Sequence, residues 1–207
     1  MKNDKETKSK LLASAKEEFL EKGYMKASLR TICKNAGVTT GALYFFYKDK
    51  EDLFAALVEE PFQNLYGMMM NHYNDEVIAV KEGTVNHEDH SNDLEVAEMV
   101  AHYMYANYDA FELLLTKSQG SRFENCVDEF VQVTEQHYRK MADFMTSESG
   151  LPRVDDYLVH WISHMHIDSF IHMLKHERSE EKAKMYMKQM VQYFVHGWYG
   201  IFLPPKK

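Results

Sequence analysis

Between Ser28 and Lys50 the chain has room for two short helices and a tight turn, and for little else. Ser28 is a residue type that caps helix N-termini, Leu29, Ile32 and Ala36 recur at helical spacing, and Gly37 closes the run. Thr39 or Thr40 then opens a very short helix through about Phe46, and Asp49 caps another, with Leu53, Phe54, Leu57 and Val58 on its inner stripe. Upstream, Leu11, Leu12, Ala15, Phe19 and Leu20 mark a helix from Thr7 to Lys22 that Gly23 ends. A short helix, a turn containing glycine and a second short helix make a helix-turn-helix, here over about residues 28–47. In that unit the second helix lies in the major groove of DNA while the first braces it against the backbone.

The residue types fit that task. Thr39, Thr40, Gly41 and Ala42 are small, so the leading end of the second helix can approach a duplex closely. Its free N–H groups and positive dipole end favour phosphate. Four consecutive aromatics follow, Tyr44-Phe45-Phe46-Tyr47. Leu43 with Phe46 or Tyr47 would pack on the first helix of the unit, while Tyr44 would reach a phosphate, a sugar or a thymine methyl. Lys48 and Lys50 add positive charge at the groove edge. The charge distribution agrees. The net charge is -8, yet residues 1–50 hold eleven Lys/Arg against six Asp/Glu, leaving thirteen against twenty-six for the remainder.

Beyond residue 50 the chain reads as all-α. Only four prolines and nine glycines punctuate 207 residues, and apolar positions recur at helical spacing over residues 94–105, 110–117, 123–145, 154–176 and 179–202. Pro61 is expected to interrupt or kink the helix that begins after Asp49. Most of residues 75–93 reads as a polar loop, and Pro204-Pro205 as a terminal stop. The division expected is a DNA-binding domain at 1–50 and a helical regulatory and dimerisation domain at 51–207. No run of 18 apolar residues exists, so no membrane partner is expected. Cys33 and Cys126 are too few and too far apart for a disulfide framework or a metal cluster, and a cytoplasmic location follows.

The segments "LLASAKEEFLEKGY", Leu11 to Tyr24, and "ASLRTICKNAGVTTGALYFFYKDKEDLFAAL", Ala27 to Leu57, resemble the tetracycline-repressor (TetR) type of bacterial transcriptional regulator. The shared pattern is a Ser/Thr at the second helix start, then Arg, Ile and Ala-Gly-Val, then Gly-x-Leu-Tyr-x-x-aromatic-Lys-x-Lys-Glu-x-Leu. The resemblance implies that Ser28 and Arg30 touch phosphate. It places Thr39, Thr40, Gly41 and Tyr44 on or near the groove, Phe45 at a variable groove-facing position, and Lys48 and Lys50 as phosphate clamps, with Tyr47 an alternative anchor. Members often have His or Tyr where this chain has Phe46, and usually Phe where it has Tyr47. A phenyl ring cannot donate to phosphate.

The same resemblance implies a homodimer on a pseudo-palindromic double-stranded operator, held by the last two helices, and a pocket for a small-molecule effector. The broad apolar face of 183–202 suits a dimer interface, with Met187, Met190, Val191, Phe194 and Trp198 as candidates; it equally suits covering the rest of the domain. Ligand candidates are Met68, Met69, His72, Tyr103 and Met104, whose side-chain types suit an apolar or amphipathic molecule and serve equally as core. Trp161, His164 and Asp168 form a further group, in which His164 and Asp168 are one helical turn apart and would make a ligand-reading pair or a structural hydrogen bond. His160/His164 and His172/His176 have chelating spacing but no third convergent ligand, so neither metal nor cofactor is expected. The expected function is a repressor released by its effector. A helical-bundle metal enzyme and a DNA-binding adaptor without a ligand are the alternatives. None of the eleven histidines has Glu three residues before it, as a carboxylate di-metal site would need, and no nucleophile motif is present.

Overall fold

The computed structural model describes residues 2–84 and 91–202. Among them there are nine helices and no strand. They are α1 (Lys2–Lys26), α2 (Leu29–Ala36), α3 (Thr40–Phe46), α4 (Lys50–Glu82), α5 (Ser91–Ala106), α6 (Tyr108–Thr116), α7 (Cys126–Ser149), α8 (Asp156–His176) and α9 (Glu180–Ile201). By contact the chain divides into two units, one of residues 1–64 with 107–126 and one of 65–106 with 127–207.

The first unit is organised around hydrocarbon. Leu11, Ala15 and Phe19 of α1, Ile32 of α2, Leu43 of α3, Leu53, Phe54 and Val58 of α4 and Phe111 of α6 are fully buried together. Phe54 is central. Its ring meets Phe19 edge-on at 5.0 Å, Tyr24 at 5.2 Å and Phe123 at 6.1 Å, the offset geometry that ring quadrupoles favour. Polar ties complete it. Ser14 Oγ donates to Ile32 O at 2.9 Å, the backbone N–H of Ser28 donates to the buried Glu18 at 3.0 Å, and Lys16 pairs with Asp109 at 2.6 Å. Gly23 breaks the helical path within α1 at φ 72°, ψ 163°, a conformation that a Cβ would strain. The chain then turns so that Tyr24 N–H donates to Lys117 O at 2.8 Å.

The second unit buries two apolar groups. Ala101, Met173, Ala183 and Met187 join α5, α8 and α9, with Tyr105 and Phe170 against them. Ala142, Val154, Val159 and Phe202 join α7, α8 and the end of α9.

Two expectations are corrected. Pro61 lies inside an unbroken α4. Proline removes one ladder hydrogen bond at a cost of about 3 kcal/mol, and burial of Val58, Phe62 and Leu65 around it offsets that. Residues 75–82 and 91–93 are helix, not loop. Tyr73 and Val80, seven residues apart, are both buried, so this stretch carries an inward stripe that its acidic residues obscured. The remainder of the expected loop at 85–90, and Pro204-Pro205, lie outside the described residues.

Candidate nucleic-acid interface

α2 and α3 are held by their caps. The Ser28 hydroxyl accepts from Thr31 N–H at 3.4 Å, and Gly37, at φ 69°, returns its own N–H to the carbonyls of Cys33 and Lys34. Gly37 is left-handed at the turn, where a side chain would be strained. Thr39 then caps α3, accepting from Ala42 N–H at 3.2 Å. A reciprocal cap starts α4: Asp49 accepts from Asp52 N–H at 2.8 Å, and Asp52 accepts from Lys48 N–H at 2.9 Å.

This frame sorts α3 into two faces. Leu43 and Tyr47, one turn apart, are buried. Thr40 and Tyr44, with Gly41 and Phe45, form two i,i+4 pairs on the outer side; Tyr44 is 58% exposed and Phe45 77%. Thr39, Arg30 and Lys48 are exposed with them. A Cβ added at Gly41 would meet nothing nearer than Thr39 Oγ1 at 3.8 Å, so the fold does not require glycine there. Together these exposed groups supply a hydroxyl-bearing helix N-terminus, two rings and two cations, a set able to meet phosphate and base edges.

Three residues expected at DNA are placed otherwise. Tyr47 is core, at 3% exposure, with its hydroxyl buried and without a hydrogen-bond partner among the described residues. Burial, with the charge of Asp52, pushes its pKa up to about 12. It fills the place of a phenyl ring. Lys50 is turned inward. Its ammonium donates to Met25 O at 3.1 Å and Ala27 O at 3.0 Å and lies 4.7 Å from the Tyr24 ring, so it closes the end of α1 rather than clamping phosphate. Burial holds its pKa below the ordinary lysine value. The Ser28 hydroxyl is half-buried and committed to its cap.

The other candidates lie in the second unit. Met68, Met69 and Tyr103 are half-buried and Met104 is buried. Trp161 is 56% exposed and Asp168 is also exposed, so His164 and Asp168 do not form a buried pair. Of the dimer candidates, Met187 and Val191 are buried within this chain, at 2% and 9%. Trp198 stacks on Tyr138 and Phe194 on His166. The broad face of α9 therefore covers its own unit, because α5 and α8 need an apolar partner. On the last two helices the large apolar side chains left exposed include a stripe on α8, Tyr157, Trp161 and Met165 at four-residue intervals, with Met185, Tyr186 and Tyr193 on α9.

His72, one of the ligand candidates, sits in a polar cluster whose other members sequence reasoning missed. His137 on α7 is buried, stacks face to face on Tyr73 at 4.2 Å and donates through Nε2 to Glu76 at 2.8 Å. Burial by itself would raise the Glu76 carboxyl, but the His137 hydrogen bond and the nearby imidazoles outweigh it and hold it below the ordinary value. The Tyr73 hydroxyl bonds Thr134 at 2.9 Å. The Tyr138 hydroxyl and His166 Nδ1 share a hydrogen bond, and burial pushes the His166 pKa down to about 4. The i,i+4 spacing of His72 and Glu76 was the available signal.

Residues 11–57 match the family model of bacterial regulatory proteins, tetR family. Over 53 residues the chain is 42% identical to the HTH-type transcriptional repressor BepR of Brucella suis biovar 1 (strain 1330), covering 26% of this chain and 25% of that one. The chain thus aligns with about a quarter of the length of the curated relatives it matches. Over the whole chain the likeness is one of fold. A transcriptional regulator from Aquifex aeolicus VF5 superposes with a TM-score of 0.60 at 18% identity, covering 90% of this chain and 98% of that one. A gamma-butyrolactone receptor, ArpA-like, does so at 0.57 and 17%, covering 97% and 98%. Residues 11–57 thus carry the N-terminal helix-turn-helix of the tetR family of bacterial regulatory proteins, and the chain as a whole shares the fold of solved regulators.

Proposed function

We propose that the chain is a DNA-binding transcriptional regulator acting in the cytoplasm, a homodimeric repressor that a small apolar or amphipathic effector releases from a pseudo-palindromic operator. The observation that carries the reading is the outer face of α3. Tyr44 and Phe45 are held in solvent by a helix whose opposite face is fully anchored, and large exposed rings have no folding role there. Arg30, Thr39, Thr40 and Lys48 are exposed as well and would meet the backbone. Residues 1–50 serve as the reader and 51–207 as the regulatory and dimerising part.

The dimer forms through the exposed stripe of Tyr157, Trp161 and Met165 with Tyr193, and its two readers meet half-sites about 34 Å apart, one turn of DNA. Effector binding favours a dimer state that no longer fits that spacing. The aromatic interior with a few convergent polar groups, Tyr138 and His166 among them, suits such a molecule, and one fold neighbour is named a receptor for gamma-butyrolactone. Support for the rival, a metal-dependent bundle enzyme, is absent from the relatives, which are transcriptional regulators.

The test begins with operator selection from random duplex DNA. Tyr44→Ala should weaken binding to the selected site about 10- to 100-fold, the worth of one good base or backbone contact, with an unchanged melting temperature. Undiminished affinity removes α3 from the function.

A further inference from the structure

The polar cluster of the second unit gathers one imidazole and two carboxylates from two helices. His72 and Glu76 stand one turn apart on α4, and Asp93 lies in the first turn of α5. His72 Nε2 faces both carboxylates, 3.5 Å from Glu76 Oε2 and 3.9 Å from Asp93 Oδ1. These separations are long for hydrogen bonds. Tetrahedral bonds of about 2.0–2.2 Å put neighbouring donors roughly 3.3–3.6 Å apart, so the Glu76 separation already fits a shared cation, and the Asp93 oxygen would move in by a few tenths of an ångström to join it.

All three donor atoms lie within 4.8 Å of one another. Two carboxylates are thereby brought together in a half-buried place, where like charges repel and a dication would neutralise them. Glu76 is also held from outside the trio by the His137 Nε2 hydrogen bond at 2.8 Å, as ligating carboxylates usually are. His137 is itself 5% exposed, and its Nδ1, like the Nδ1 of His72, is buried with no hydrogen-bond partner among the described residues. An imidazole that orphans one nitrogen to hold a carboxylate in place is organised around that carboxylate.

We propose that His72, Glu76 and Asp93 form a site for one divalent first-row transition metal ion, with His137 as the positioning residue for Glu76. One imidazole nitrogen and two carboxylate oxygens suit zinc, iron, cobalt, nickel or manganese, and leave coordination positions for water or a ligand anion. The ion would tie α4 to α5. This site is separate from the His160/His164 and His172/His176 pairs, whose ring centroids lie 4.5 and 4.3 Å apart; Glu135 bonds His160 at 2.8 Å, but no trio of donor atoms closes within 4.8 Å at either pair among the described residues. It goes beyond the regulatory reading and does not depend on it.

The full chain, treated with chelator and desalted, is titrated with Zn²⁺. One ion per chain should be retained by elemental analysis after gel filtration, and a hundredfold excess over Kd should raise Tm by roughly 5–10 °C. The double variant His72→Gln/Asp93→Asn should lose both effects, while His160→Gln/His164→Gln keeps them. Should the first variant fail to fold, carbethoxylation of the wild-type chain reads the same site: Zn²⁺ should shield His72 from modification. No retained ion, retention unchanged in His72→Gln/Asp93→Asn, loss confined to His160→Gln/His164→Gln, or a His72 that reacts equally with and without Zn²⁺ would overturn the site. Operator binding by the metal-free chain is measured alongside, so the two proposals fail separately.

Discussion

The two units use polar and apolar residues in opposite ways. In the first, hydrocarbon and aromatic rings fill the inside and the chemistry faces outward, from Arg30 through Lys48. In the second, Glu76, His137, Tyr138 and His166 carry the chemistry inward, and some of the largest rings, Tyr157, Trp161 and Tyr193, are left in solvent. A reader of DNA must present its contacts before its partner arrives. A body that responds to something must keep polar groups where a small change in charge or occupancy is felt, because buried polar networks are satisfied or costly, with little between.

The comparison breaks most visibly if the first unit proves tolerant of core loss. Phe54→Ala removes the ring that meets Phe19, Tyr24 and Phe123, and should cost about 3–5 kcal/mol in urea unfolding. A loss under about 1 kcal/mol would mean that the outward face rests on something other than this core.

The inward chemistry of the second unit is read by pH. His166 has a folded pKa of about 4 because burial disfavours its charged form, against an ordinary 6.5. The unfolded chain therefore binds the proton first as pH falls. Stability is full above about 6.5 and is lost between there and 4, by about 3 kcal/mol for this group. His166→Phe should flatten that part of the pH–stability curve. An unchanged slope would place the titration elsewhere.

The smallest effect sharpens the first unit alone. Lys50→Met should lower stability by about 1–2 kcal/mol, since two carbonyls at the end of α1 lose their donor. Lys48→Met should leave stability unchanged and reduce the salt dependence of operator binding by about one unit of slope. Equal behaviour of the two lysines would return Lys50 to the surface.

The reader was legible in sequence because its parts are consecutive. Ser28, Gly37, Thr39 and Asp49 each act within a few residues of themselves, so caps and turns could be placed from local rules. What escaped was decided by tertiary contact. Tyr47 and Lys50 have the residue types of DNA contacts, and only tertiary packing puts the Tyr47 ring in the core and the Lys50 ammonium on the carbonyls of Met25 and Ala27. The face of α9 was seen but its occupant was not, since an apolar stripe does not say which neighbour covers it. The polar cluster was the least legible. His72 and Glu76 are near in sequence, but Asp93 and His137 come from other helices, and nothing in a single chain of letters brings them together.

Gly41 gives the reader an unusual control. A methyl group at that position would meet only Thr39 Oγ1, at an ordinary contact distance of 3.8 Å, so the isolated protein would accept an alanine there without strain. Whatever discomfort such a change produced would belong wholly to the bound state, making this one hydrogen atom a gauge of how tightly helix and groove close on each other.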